Sequence, residues 1–290
     1  MVRSKNVEIL KQTKSAKIIK YTEGNIEIVE KTYSPEYSHY WDRESKHLKL
    51  VKGFSGQPKL VSENKKELSF KFIFEGDPLS KIIISTNDTH VEKIFRAMTD
   101  EIAYMSKVDK VPENIDYKDR FYFLNKILKE NALKSNLMND INAMFDKVDK
   151  RKILMRYDPE LDNYIINKEG KVLVCDFAVM RYINPLYVPA FYIVHLDKYE
   201  QYKKLPIFKL LATQLLEKIN IGKEIFVEDS KSFDITLRLC FLEVCSYLLN
   251  AYIEDKNRKL SERKNIDPNG QMENWVRNSI VKVIYEKVFI

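Results

Sequence analysis

The chain has 290 residues, 44% of them apolar and 31% charged, with a formal net charge of +7. That is ample for one large globular domain or two lobes, and the positive balance favours acidic partners such as nucleotides, phosphorylated sugars, nucleic acid or an anionic membrane. A codon bias toward Lys and Ile produces the same balance with no partner at all. Cys175, Cys240 and Cys245 form no Cys-x-x-Cys pair; they read as reduced core residues, which points to the cytoplasm. The four histidines show no metal-ligand spacing. No apolar h-region follows Met1, so no secretory signal is expected. The longest apolar stretch, Phe233 to Ile253, contains Asp234, Arg238 and Glu243. It is expected as a buried helix rather than a membrane span.

In chain order, the first eighty residues read as strands. Lys17–Tyr21 and Asn25–Tyr33 carry alternating or β-branched apolar residues on either side of the turn signal Glu23-Gly24-Asn25. Tyr37, Tyr40, Trp41, Leu48 and Val51 recur at helical offsets and predict a helix over 36–52, closed by Gly53, Gly56 and Pro58. Two more strands are predicted at 59–62 and 68–74. Glu75-Gly76-Asp77-Pro78-Leu79 then breaks the pattern as a hinge or lobe boundary. Helical periodicity covers 90–106 and 119–147. A strand pair is expected at 164–175 around Lys168-Glu169-Gly170, and helices resume at 206–219, 233–253 and 271–288. The charged stretch from Lys256 to Lys264 reads as a solvated helix end or loop. The predicted architecture is α+β, with a small β-rich lobe and one helix over 1–76. A larger, mostly helical lobe with one hairpin follows over 77–290.

The chemistry is concentrated in one region. Arg156-Tyr157-Asp158-Pro159-Glu160-Leu161-Asp162-Asn163 is followed by Val172-Leu173-Val174-Cys175-Asp176-Phe177. An Asn thus stands five residues after one Asp, and a second Asp stands thirteen further on. The first run alone is also what an ordinary polar turn looks like. The predicted hairpin is what brings Asn163 and Asp176 together. A phosphoryl-transfer site must hold a nucleotide, neutralise its charge with divalent metal and orient an acceptor hydroxyl. Asp176, leaving an apolar strand, suits a magnesium ligand, and Asn163 offers a neutral carbonyl oxygen as a second. Asp158 suits a group that orients the hydroxyl or accepts its proton.

The Asp158…Asn163…Asp176 spacing resembles the catalytic and metal-binding loops of the protein-kinase-like fold. It is most similar to the small-molecule branch, which includes aminoglycoside phosphotransferases and choline kinases. The resemblance implies a bilobal fold and an ATP- and Mg²⁺-dependent phosphotransferase acting on a hydroxyl of a small molecule or glycan. It implies Asp158 as the catalytic carboxylate, with Asn163 and Asp176 as the metal ligands. Lys31, in Ile28-Val29-Glu30-Lys31, takes the place of the phosphate-binding lysine of the third strand, with Glu44 as its ion-pair partner. Phe74-Glu75-Gly76-Asp77-Pro78-Leu79 resembles the hinge that holds the adenine, which makes Glu75 a nucleotide-binding candidate. These pieces span 17–177, and the helical C-terminal third carries no signature.

The chain departs from the family pattern at named positions. Arg156 stands where the family has a loop-supporting His. Only Gly24 occupies the first turn, where a glycine-rich phosphate loop is common. Asp176-Phe177-Ala178 lacks the third-position Gly of protein kinases, and Glu160 stands where serine/threonine protein kinases carry Lys. The last two features favour a small-molecule or glycan acceptor, and the net charge points to an acidic one. Arg156 and the missing glycine loop also suit a regulatory, pseudokinase-like nucleotide-binding protein. A protein kinase is the third reading, disfavoured by Glu160 and by the lack of an Ala-Pro-Glu segment. Glu30, Glu36 and Asp42 compete with Glu44 for Lys31. Arg156, Glu160 and Asp162 suit either a tuned acceptor pocket or an exposed loop, and Arg120-Phe121-Tyr122-Phe123-Leu124 suits core or a ligand groove. No nucleic-acid motif accompanies the Tyr and Lys excess.

Overall fold

A computed structural model describes residues 7–108, 121–130, 135–258, 267 and 270–286. The N-terminal hexapeptide, Arg120 of the aromatic run, and 259–264 of the charged stretch lie outside the described residues. The chain divides into two compact units, 1–87 with 92–108 and 156–181, and 88–91 with 109–155 and 182–290.

The first unit is built on five antiparallel strands. β1 (Glu8–Gln12), β2 (Ala16–Glu23), β3 (Ile26–Tyr33), β4 (Leu60–Asn64) and β5 (Ser69–Ile73) lie in the order β1-β2-β3-β5-β4. Their short antiparallel connections follow from the turn residues between apolar runs. β1 was not expected, because all five of its residues are exposed and its pattern does not alternate. The Gly24 turn is therefore the second hairpin, and the first turn is Thr13-Lys14-Ser15. The predicted helix forms as a 3₁₀ turn at Pro35–Tyr37 followed by α1 (Ser38–Leu50). Trp41 anchors α1 to the sheet: its ring stacks on Phe70 at 5.4 Å and its indole N–H donates to the Ser69 carbonyl at 3.3 Å.

A second sheet in the same unit joins β6 (Gly76–Pro78), β8 (Tyr164–Asn167) and β9 (Val172–Val174), antiparallel and in the order β6-β8-β9. The expected hinge at 75–79 is thus partly a strand. Its glycine serves close approach: a Cβ at Gly76 would lie 1.8 Å from the Ile166 carbonyl oxygen. α2 (Leu79–Thr86) and α3 (Val91–Met105) follow, and α3 presents a buried stripe of Ile94, Ala97, Met98, Glu101, Ile102 and Met105. β7 (Ile153–Arg156) and β10 (Met180–Ile183) are the strands along which the chain passes from one unit to the other.

The second unit is helical. Its described helices are α4 (Tyr122–Lys129), α5 (Ser135–Phe145), α6 (Tyr187–Lys203), α7 (Pro206–Ile221), α8 (Phe233–Asn257) and α9 (Gln271–Tyr285). The helix expected over 119–147 is therefore α4 and α5. α6 was not foreseen, because residues 187–196 are all buried and show no polar stripe. Pro189 sits in its first turn, where the missing N–H has no intrahelical partner to lose. Phe121 and Leu124 are core residues, whereas Tyr122 is exposed.

The charges that interrupt α8 have partners. Glu243, buried, accepts from the Phe123 and Leu124 amides at 3.1 and 2.8 Å and so caps α4. Arg238 donates to the Val283 and Ile284 carbonyls at 2.9 and 2.7 Å, at the end of α9. Buried Asp149 accepts from the amides of Arg151, Glu228 and Asp229 and from the Ser232 hydroxyl, so one carboxylate fixes several loops. Among the described residues no helix is long and apolar enough to cross a membrane. Cys240 and Cys245 are buried as expected, but Cys175 is only half-buried, because it lies just past the end of β9.

Gly76→Ala is expected to lower unfolding free energy by about 3 kcal/mol or more, because the methyl group meets backbone that cannot move aside alone. Urea denaturation checks this, and a change within about 0.5 kcal/mol would contradict it. His195 offers a pH test. It is buried, stacks on Phe191 at 3.9 Å and bonds through Nδ1 to the Phe191 carbonyl at 2.9 Å. Loss of solvation, then the charge of Lys198, pushes its imidazole down from 6.5 to about 3. The unfolded chain takes up this proton and the folded chain does not. Its contribution is therefore complete above pH 6.5 and declines below it by about 1.4 kcal/mol per pH unit. Melting temperatures of the natural chain and His195→Leu should converge as pH falls from about 7.5 to about 4.5. A constant gap would refute the assignment.

Candidate active site

Every residue of the predicted site falls within the first unit. β3 carries Lys31 inward, with its side chain 10% exposed. The ammonium lies 2.9 Å from Glu44 Oε2 and 3.0 Å from Asp176 Oδ1. Glu44 comes from α1 and is the partner among its competitors. Glu30 points to the other face of β3 and accepts from the Tyr21 hydroxyl at 2.8 Å, while Asp42 faces Lys65 at 3.6 Å. Tyr33, two residues beyond Lys31 on the same strand face, donates its hydroxyl to Glu44 Oε2 at 2.7 Å.

Burial alone would push Lys31 down, but the carboxylates of Asp176 and Glu44 outweigh it, and the amine is held well above its ordinary range. Burial pushes Glu44 up, against the pull of Lys31. Asp176 is also penalised by burial, yet Lys31 and the Ala178 amide hold its carboxyl below the usual range.

Asp176 leaves the end of β9 in the left-handed conformation, φ 62°, which Asp adopts more readily than most side chains. Its Oδ1 accepts from Lys31 and from the Ala178 amide at 3.3 Å. Oδ2 has no partner among the described residues, and the side chain is 39% exposed. The hairpin register pairs Tyr164 with Val174, and the Cys175 amide donates to the Asn163 carbonyl at 2.9 Å. Asn163 and Asp176 therefore leave adjacent strand ends, as the spacing implied. Asn163 donates Nδ2 to the Asp158 carbonyl at 2.9 Å, which leaves Oδ1 without a partner among the described residues.

Asp158 is open to solvent by area but crowded by protein atoms. Loss of solvation, followed by the charges of Glu160 and Asp176, pushes its carboxyl up to about 7. Asp162 accepts from the Ser80 hydroxyl of α2. Glu75 accepts from the Lys59 amide at 2.9 Å. Among the described residues no hydrogen bond joins Glu75 to Lys31, Asp158, Asn163 or Asp176.

Arg156 is 0% exposed. Its Nε and Nη2 each lie 2.9 Å from one oxygen of Glu101, while Nη1 reaches the Cys175 carbonyl at 3.1 Å and the Asn163 carbonyl at 3.5 Å. The guanidinium lies over Tyr164, 4.6 Å from its centroid. Sequence reasoning missed Glu101, although a charged residue inside the apolar stripe of α3 was the available signal. It also missed His47, one turn along α1 from Glu44, whose Nδ1 meets the Phe177 carbonyl at 2.6 Å. Loss of solvation holds His47 below its ordinary range.

The free oxygens, Asp176 Oδ2 and Asn163 Oδ1, form an oxygen-only donor pair. That fits magnesium, which takes one or two protein ligands and completes its shell with phosphate and water. Among the described residues no group of three or more His, Cys, Asp or Glu side chains is arranged to hold a metal by itself.

No family model matches the sequence, and no curated protein sequence does. Solved structures match nearly the whole chain. A thermostable mutant of aminoglycoside phosphotransferase APH(4)-Ia, in ternary complex with ADP and hygromycin B, is 11% identical over 96% of this chain and 93% of that one, with a TM-score of 0.61. Plasmodium vivax ethanolamine kinase is 11% identical over 99% and 85%, with a TM-score of 0.62. The choline kinase LicA from Streptococcus pneumoniae is 12% identical over 97% and 93%, with a TM-score of 0.56. With its antiparallel N-terminal sheet and helical C-terminal part, the chain has the protein-kinase-like fold in the form these small-molecule kinases share.

Proposed function

We propose that the protein is an ATP- and Mg²⁺-dependent phosphotransferase whose acceptor is a hydroxyl of a small molecule or glycan. One observation carries the reading. Lys31 paired with Glu44, Asp176 and Asn163 with free oxygens, and the Asp158 carboxylate belong to one compact unit of a small-molecule-kinase fold. The ADP and hygromycin B bound by one structural neighbour, and the amino-alcohol kinases among the others, support a nucleotide and a hydroxyl-bearing acceptor.

Each side chain then has a role. Lys31, oriented by Glu44, contacts the nucleotide phosphates, for which it must give up one of its two carboxylates. Asp176 and Asn163 hold Mg²⁺, which neutralises the phosphate charge. Asp158 orients the attacking hydroxyl and accepts its proton. Glu75 belongs to the segment that holds the adenine. Positioning and charge neutralisation carry the reaction. The lobes of this reading are 1–76 for nucleotide and 77–290 for acceptor, and three unpaired thiols suit a cytoplasmic location. A regulatory nucleotide-binding protein is the second reading, favoured by Arg156 in place of the family His.

Phosphate transfer from Mg²⁺-ATP to a panel of amino alcohols, aminoglycosides and other glycans tests the proposal. Asp176→Ala and Asp158→Asn should each lower turnover by about a hundredfold or more while circular dichroism stays unchanged. Undiminished turnover in either variant would overturn the assignment. Metal-dependent nucleotide binding with no turnover on any acceptor would select the regulatory reading.

A further inference from the structure

A buried ion pair is weak support for stability, because packed apolar side chains of similar volume serve a core about as well. Arg156 and Glu101, 0% and 1% exposed at the side chain, therefore call for a reason beyond packing. The reason lies in what the guanidinium does with its remaining edge. Glu101 occupies Nε and Nη2, and this bidentate grip fixes the plane of the group. Tyr164 and Phe177, at 4.6 and 5.9 Å from the guanidinium carbon, confine it further. Nη1 is left facing the Cys175 and Asn163 carbonyls at 3.1 and 3.5 Å. Those two carbonyls sit at the open end of the β8–β9 hairpin. One belongs to Asn163 itself and the other to the residue before Asp176.

Arg156 is also the last residue of β7, two before Asp158. One rigid side chain thus connects the start of the Asp158 loop with the two points from which Asn163 and Asp176 emerge. A histidine has only two ring nitrogens and cannot grip a carboxylate with two donors while also serving two carbonyls. A lysine has three donors but no fixed plane.

We infer that Arg156, held by Glu101, is a positioning residue that sets the separation of the Asn163 and Asp176 side chains and so their fit to a small divalent cation. The inference rests on the phosphotransferase reading for the identity of those ligands. Magnesium demands near-ideal octahedral geometry, whereas calcium tolerates irregular shells. Loosening the hairpin end therefore weakens Mg²⁺ more than Ca²⁺, which a general loss of stability does not do.

Removing one partner alone leaves an uncompensated buried charge and threatens folding. The main test is therefore the paired variant Arg156→Met/Glu101→Leu, with Arg156→Lys as the second, which keeps the charge and loses the plane. Calorimetric titration of the natural chain and both variants with ADP is run with no metal, with Mg²⁺ and with Ca²⁺. Half-saturating Mg²⁺ should rise about tenfold or more in the variants, the usual scale for groups supporting metal ligands. Half-saturating Ca²⁺ should rise no more than about threefold, given its looser shell. Metal-free ADP binding should be unchanged. Should the paired variant fail to fold, Arg156→Lys carries the same comparison. Folded variants with the natural Mg²⁺ response, or equal losses for both metals, overturn the positioning role alone. A natural chain with no metal-dependent ADP binding overturns the phosphotransferase reading, and this inference with it.

Discussion

One ammonium shared by two carboxylates organises the first unit. Lys31 is too buried to stand alone as a charge, and its neutralisation comes from Glu44 on α1 and from Asp176, 145 residues away. A buried lysine stripped of its carboxylates becomes an uncompensated charge. The sheet, α1 and the segment after β9 are therefore held to a single register. The constraint reaches along α1, where Trp41, Glu44, Ser45 and Leu48 share the buried face. Trp41 seats the helix on β5, Glu44 takes Lys31, and His47 holds the Phe177 carbonyl. Rotating the helix to improve one of these contacts breaks the others.

Among its described residues the unit contains two buried ion pairs of opposite character. Arg156 and Glu101 are closed off from water, planar and bidentate, and their bonds are directional. Lys31 is a compact charge on a flexible stem, and one of its two partners, Asp176, is 39% exposed. The first pair suits a fixed joint. On the phosphotransferase reading, the second suits an exchange in which a phosphate oxygen replaces one carboxylate. The two residue types match these settings: a rigid fork in the closed pair, a point charge where, on that reading, a partner is exchanged.

The sequence was legible where a residue's role is local. Alternation across Gly24 revealed β2 and β3, and the apolar run before Asp176 revealed the hairpin. It was opaque where roles depend on distant packing. α6 is buried on all sides in its first ten residues and so has no period to read. β1 is exposed on both faces and shows none either. Gly76 looked like a hinge because sequence cannot show a carbonyl approaching from β8. Arg156 stood out as a departure from the family pattern, but its partner lies 55 residues upstream on another helix. Only the fold turns an isolated oddity into a joint.

The charge balance of the site bears on how a nucleotide enters it. Lys31 faces Glu44 and Asp176, and Asp158 feels both Asp176 and Glu160. Loss of solvation first, and then the charges of Glu160 and Asp176, raise the Asp158 carboxyl against the pull of Lys11 and Arg156. A polyphosphate entering alone would face the Asp176 carboxylate beside Lys31, and charges at such short range interact strongly where the dielectric is low. On the phosphotransferase reading the carboxylates and the phosphates need the same countercharge, and neither can supply it to the other. Nucleotide and divalent cation affinities are then linked, each raising the other by the same factor. On that reading the carboxylates beside Lys31 would make recognition of the metal-bound nucleotide selective over the free one.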